Sequence, residues 1–210
     1  ALEKAELVET LNQGGTFTVF APTNTAFAEF LSANGFADLQ AVPTPLLKEV
    51  LLNHVLNARV PSSGVSTGYV KTLGKGSASA TNTLSMFINV TDDGVRINGV
   101  ANVTAFDINC NNGVVHVVDD VIGLPTVVTH AVANPNFSTL VSLLSQQNLV
   151  STLSSSDAPA PFTVFAPLDS AFDTTTLNLY GTLSSSQRTA VLTYHVVGGA
   201  NVLSNAIPTG

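Results

Sequence analysis

The chain repeats itself. Residues 17–27 read FTVFAPTNTAF and residues 162–172 read FTVFAPLDSAF, so one apolar run, one Ala-Pro break and one polar restart occur twice, 145 positions apart. The repeat extends further in both directions. LVETL at 7–11 matches LVSTL at 149–153, EVLLNHVL at 49–56 matches AVLTYHVV at 190–197, and VPSSGVSTG at 60–68 matches VLSNAIPTG at 202–210. These offsets are 142, 141 and 142, with a three-residue insertion in the second copy inside SSSDAPAP. A period near 142 is too long for a solenoid unit and ordinary for a domain. The expectation is a tandem of two domains, 1–126 and 127–210. On the same period, the first copy lacks a counterpart of VVTHAVANPNFSTLVS and the second lacks counterparts of 69–126. Both read as incomplete copies, belonging to a longer chain or completed by a neighbouring molecule.

Local patterns give the class. TFTVFAP reads as a short buried strand ended by Pro22, and the polar restart reads as a helix capped by Thr23 or Asn24. Asp169 or Ser170 is the expected cap in the second copy. TPLLKEVLLNHVL spaces Leu46, Leu47, Val50, Leu51 and His54 along one helical face. SMFINVTDDGVRINGV alternates apolar residues around Asp93-Gly94, a hairpin signal. GVVHVVDDVIGL reads as a buried strand, and NPNFSTLVSLLSQQNLVSTL places Phe137, Leu140, Val141 and Leu144 at helical intervals. The class is α+β.

Composition excludes several functions. The chain is 45% hydrophobic, which fills a core, but only 10% charged, against roughly 25% in an ordinary soluble domain. Ser, Thr, Asn and Gly take the place of charge, which suits an extracellular or wall-associated surface. With net charge −7 and seven basic residues, the chain offers no phosphate-binding patch, so nucleic acid is not an expected partner. No apolar run approaches the roughly 18 residues of a membrane span, and Glu3, Lys4 and Glu6 make the first ten residues unlike a signal peptide. Any signal or anchor is expected outside this segment. The single cysteine, Cys110, precludes an intrachain disulfide and is expected to be a small buried residue. It has no cationic neighbour in sequence to activate it.

Catalytic and metal patterns fail on inspection. His54 and His195 occupy equivalent places near helix ends, the behaviour of structural hydrogen-bonding residues. His116 and His130 have no Cys or carboxylate at ligand spacing. GYVKTLGKGS resembles a phosphate loop, but its glycines are one residue too far apart and Lys75 precedes Gly76. NVTDDG opens like a calcium loop, yet its twelfth position is Val100 in place of Glu. Asp119 and Asp120, adjacent on an expected strand, should face opposite ways. Asn89, Asn102 and Asn136 begin glycosylation sequons, a type of match that a chain rich in Asn, Ser and Thr also yields by chance.

Taken together, FTVFAPTNTAFAEF, LLNHVL and GVVHVVDDVIGLP in the first copy, and ANPNFSTLVSLL, FTVFAPLDSAFDTT and LTYHVV in the second, resemble the fasciclin domain over essentially the whole chain. The resemblance implies a wedge of two β-sheets with packed helices. It also implies a secreted or surface-anchored adhesion protein, without enzymatic activity or cofactor, whose partners are protein or glycan surface ligands or neighbouring copies. The other reading is a structural spacer or assembly unit with no ligand of its own. A small-molecule site in a cleft between the copies has no support in the residues. The family's Tyr-His motif maps onto Tyr194 and His195 and becomes Asn53 and His54 in the first copy. Its Asp-Ile motif, linked to integrin recognition in animal relatives, maps onto Asp107 and Ile108, with Phe106 and Asn109-Cys110 departing from the animal pattern. Read from the residues alone, Asp107 caps or orients the strand before NNGVVHVV and Ile108 fills core. Low charge and the lack of disulfides point to a bacterial member.

Overall fold

The computed structural model of the protein describes residues 1–12 and 14–207; the last three residues of the VLSNAIPTG block lie outside them. The chain divides into two units, Ala1–Pro125 and Thr126–Gly210.

In unit one, helix α1 (Val8–Asn12) leads into strand β1 (Phe17–Pro22). Pro22 has no amide to extend the ladder, and Thr23 turns the chain by accepting the Ala26 amide at 3.1 Å. That cap starts helix α2 (Asn24–Ala33), and helix α3 (Thr44–Leu52) follows. Strand β2 (Val55–Leu56) returns antiparallel to β1, after which come β3 (Gly68–Lys71), β4 (Ser85–Thr91), β5 (Gly94–Ile97), β6 (Ala101–Cys110) and β7 (Gly113–Val118). Among the described residues the seven strands run in the order β2-β1-β7-β6-β5-β4-β3. All neighbours are antiparallel except β1 and β7, which pair in parallel from Phe17–Gly113 to Pro22–Val118.

Strand β6 divides this array into two parts. Its first two residues pair with β5 and the remainder with β7. The two-sheet wedge therefore shares one strand. Phe20, Met86, Ile88, Ile97, Val118 and Ile122 fill the space inside it. A second cluster, Ala5, Leu7, Val42, Leu47 and Leu51, sits under α3. Complete burial of each of these Phe, Met, Ile, Leu or Val side chains is worth about 1.5–3 kcal/mol.

Several local expectations shift by a few residues. Helix α3 stops at Leu52, because Asn53 caps it and the chain enters β2. The β4–β5 loop is Asp92-Asp93, with Gly94 already paired to Thr91. Strand β7 ends at Val118, so Asp119 and Asp120 lie beyond it. Asp119 accepts the amide and side-chain nitrogen of Asn102, and Asp120 accepts the Val121 amide. The phosphate-loop lookalike is filled from within: Glu49 Oε2 accepts the amides of Lys75 and Gly76 at 2.6 and 3.0 Å. Cys110 is exposed at the end of β6, where the strand runs past the core.

Unit two opens with α4 (Val127–Ala133), held by a reciprocal Thr126–Thr129 capping box, then α5 (Ser138–Gln146) and α6 (Val150–Ser154). Strand β8 (Phe162–Val164) is followed by α7 (Thr174–Thr182), α8 (Ser185–Thr193) and β9 (Val196–Gly198), which pairs antiparallel with β8. Leu140, Leu143, Leu144, Leu153 and Leu192 form the core. The expected cap at Asp169 or Ser170 is replaced by a short 3-10 turn, and Asp173 caps α7. Asp169 instead accepts Ser138 Oγ and the Thr139 amide at the start of α5.

The first residues of unit one are tied down by one ammonium group. Lys4 Nζ donates to the carbonyls of Leu39, Gln40 and Val42 at 2.6, 2.6 and 2.7 Å. Lys4→Met keeps the aliphatic stem and removes the donor, so it should lower unfolding free energy by about 1.5–3 kcal/mol in urea titration. An unchanged midpoint would mean that water serves these carbonyls equally well.

Candidate functional site

The first candidate is built on a bulge. Between the β6–β7 pairs Ala105–Val117 and Ile108–Val115 the register slips, so Phe106 and Asp107 together oppose His116. Asp107 sits at φ 60°, a left-handed conformation that Asp adopts more readily than most residues. Two anchors hold it. Its amide donates to His116 Nδ1 at 3.2 Å, and its carboxylate accepts the Ser62 amide at 2.8 Å and the Ser62 hydroxyl. The Ser62 hydroxyl, then the Ser62 amide, hold the Asp107 carboxyl below its usual range, with a lesser contribution from Arg59.

His116 is fully buried between two rings, Phe20 and Phe106, each centred 5.6 Å away. Since Nδ1 accepts the Asp107 amide, Nε2 carries the proton and donates to the Val60 carbonyl at 2.9 Å. The bulge therefore turns Phe106 and Ile108 outward. Ile108 is 48% exposed, which overturns its reading as core. Asp107 does orient the strand, but through Ser62 and His116. Phe106 and His116 belong to this site although sequence patterns single out neither for it; an Asp inside an apolar strand was the available signal for a bulge.

The second candidate is the histidine pair. His54 is buried, and its ring bridges two segments: Nδ1 lies 2.7 Å from the Val50 carbonyl and Nε2 accepts the Ile122 amide at 2.9 Å. This fixes the neutral tautomer with the proton on Nδ1. Burial pulls its pKa down to about 4, partly opposed by the bond to Val50. Beside it, buried Asn53 donates to the carbonyls of Ile122 and Gly123 and accepts from Thr72 Oγ1. Together the two side chains pin the segment leaving β7.

His195 repeats half of this arrangement. Its Nδ1 lies 2.9 Å from the Val191 carbonyl, but the ring is only half-buried. Tyr194, in the place of Asn53, is 91% exposed. Among the described residues no group of three or more His, Cys, Asp or Glu could hold a metal ion, and no helix is long and apolar enough to cross a membrane. Asn102 of the sequons is engaged with Asp119, while Asn136 is exposed in a short turn.

The fold is similar to that of a known domain pair. The insect cell adhesion molecule fasciclin I contains a FAS1 domain pair that superposes with a TM-score of 0.58 at 20% identity, over 93% of this chain and 69% of that one. A Fasciclin domain family model matches residues 1–125 and 135–210, and the chain belongs to that family. Protein sll1483 of Synechocystis is 36% identical over 122 residues, covering 58% of this chain and 63% of its own. Human periostin is 30% identical over 178 residues, 83% of this chain but 20% of periostin. The chain thus spans less than two thirds of these curated relatives.

The His54 geometry has a pH signature. Unfolded, the residue titrates near 6.5; folded, near 4. Between those values the unfolded chain binds more protons, so stability is full above about pH 6.5 and falls as pH drops towards 4. The loss should approach about 3 kcal/mol. Urea titrations at stepped pH should show it, and His54→Gln, although less stable at neutral pH, should remove most of that slope. An unchanged slope would assign the acid sensitivity elsewhere.

Proposed function

We propose that this chain is a non-enzymatic adhesion module of an extracellular, cell-surface or periplasmic protein, and that the β6 bulge is part of its contact surface. The observation that carries the reading is the outward pair Phe106 and Ile108 on either side of an internally anchored Asp107. Asp107 already spends its carboxylate on Ser62, so its role is to hold the bulge while the apolar neighbours meet the partner. A protein surface fits this chemistry best, since glycan recognition relies more on exposed hydrogen-bonding groups. Membership of the fasciclin family and the fold shared with an insect cell adhesion molecule support the same reading.

The test separates contact from scaffolding. Immobilised chain should retain cells or matrix proteins above an unrelated acidic control, and Ile108→Asp should abolish retention at unchanged melting temperature. Asp107→Ala should lower the melting temperature and affect retention mainly through loss of folded protein. Full retention by Ile108→Asp would move the contact elsewhere. A folded chain that retains nothing above the control would favour the spacer reading.

A further inference from the structure

Each unit gathers backbone carbonyls at one place, and each fills that place with a cation from a different element. In unit one, Lys4 Nζ donates to the carbonyls of Leu39, Gln40 and Val42, where a 3-10 turn, Leu39–Ala41, ends ahead of α3. In unit two, Arg188 on α8 donates from Nε to the Tyr180 carbonyl at 3.2 Å and from Nη2 to the Gly181 carbonyl at 2.6 Å, at the end of α7. The repeat makes these the same carbonyls. Tyr180 and Gly181 stand where Leu39 and Gln40 stand, on the register that aligns His195 with His54. The backbone agrees: the Val42 amide donates to Leu39 as Leu183 does to Tyr180, and the Leu47 amide donates to Pro43 as Arg188 does to Ser184.

The two cations, by contrast, are not equivalent. Lys4 corresponds to Gln146, on the register fixed by the left-handed residues Glu6 and Asn148, each at φ 57°. Gln146 turns to its own helix, where its Nε2 donates to Ser142 Oγ. Arg188 corresponds to Leu47, which is fully buried under α3. Each copy therefore carries one cation for the cluster, and an uncharged residue where the other copy has its cation. Two donors from different elements at one acceptor cluster make the carbonyls the common requirement. Carbonyls at a helix end lack partners within the helix and carry partial negative charge, so several aimed at one point favour a cation. The chain has only seven basic side chains, and two of them serve this place.

We propose that the carbonyls of residues 39, 40 and 42, and those of 180 and 181, form a cation-binding site in each unit. Its ligand class is the primary ammonium or guanidinium group, and each unit occupies its site from within. The site recognises N–H donors together with positive charge. Three carbonyls at 2.6 to 2.7 Å from one nitrogen match the three protons of an ammonium group. The planar guanidinium meets two neighbouring carbonyls through two of its nitrogens and lays its face over the Tyr180 ring, 5.4 Å from the centroid. In unit one the ligand arrives on the long stem of Lys4, and its bond to Gln40 is exposed. Removing that side chain leaves a site open to a small amine from solution. This inference is independent of the adhesion reading.

The test empties the site in the whole chain. Lys4→Ala should melt at a lower temperature than the parent chain. Propylammonium chloride, the deleted part of the side chain, should raise that temperature saturably towards the parent value, as a ligand of the folded state does. The parent chain, with Lys4 in place, should respond no more than it does to sodium chloride at equal ionic strength. Tetramethylammonium, which has no N–H, should act like sodium chloride on both chains. In unit two the donors should be exchangeable. Arg188→Leu should lower amide protection against hydrogen exchange at 183–192, and adding Gln146→Lys should restore it. Gln146→Lys alone should leave protection unchanged, because Arg188 already fills the site. Equal action of propylammonium and tetramethylammonium on Lys4→Ala, the same rise in the parent chain, or a loss in Arg188→Leu that Gln146→Lys does not reduce would overturn the proposal.

Discussion

The parallel pairing of β1 with β7 is the contact on which unit one rests. It joins segments far apart in sequence, so its loop-closure cost has to be offset by what it buries. The pairing covers Phe20, sets His116 under the bulge, and delivers residues 121–124 onto α2 and α3. It also requires backbone to approach backbone at Gly113, where no side chain fits. Removing that strand would open two core clusters at once and leave His54 Nε2 without its amide.

Neutral polar side chains also fasten distant segments to one another. Asn53 links α3 to the segment after β7 and to Thr72, and Asn98 Oδ1 receives the Phe87 amide at 2.7 Å inside the hairpin. Thr18 and Thr163 each tie a strand to the chain passing beside it. Buried groups of this kind stabilise only when partnered, since an unmade bond inside a core costs about 1–3 kcal/mol. Low charge on this chain therefore accompanies specific internal bonding.

At the bulge, structure and presentation are separate tasks carried by adjacent residues. His116 and Ser62 hold Asp107, and the strained conformation of Asp107 sends Phe106 and Ile108 outward. A change at the anchor and a change at the surface should consequently look different in solution. The two histidine positions show a parallel division: the same ring-to-carbonyl bond recurs in both units, while exposure depends on what lies over it.

Much of this was legible in the residues. The duplicated FTVFAP block, the Pro22 break, the Thr23 cap, the hairpin and the apolar faces of α3 and α5 follow from local sterics, hydrogen-bonding capacity and periodicity, and the repeat itself carried the family. Other features depended on contacts that no local pattern encodes. Asp169 matches Asn24, the first residue of α2, and Leu168 stands where Thr23 caps that helix, yet no α-helix starts there and the nearby α5 terminus captured Asp169. Ile108 and Cys110 look like core residues because they are apolar or small, yet the slip in β6 and the end of its cover left both exposed. Equivalent sequences at β1 and β8 also differ in burial, since β7 lies against β1 and among the described residues only β9 pairs with β8. A sequence fixes which face of a strand is apolar, but only the arrangement of distant strands decides whether anything comes to lie against it.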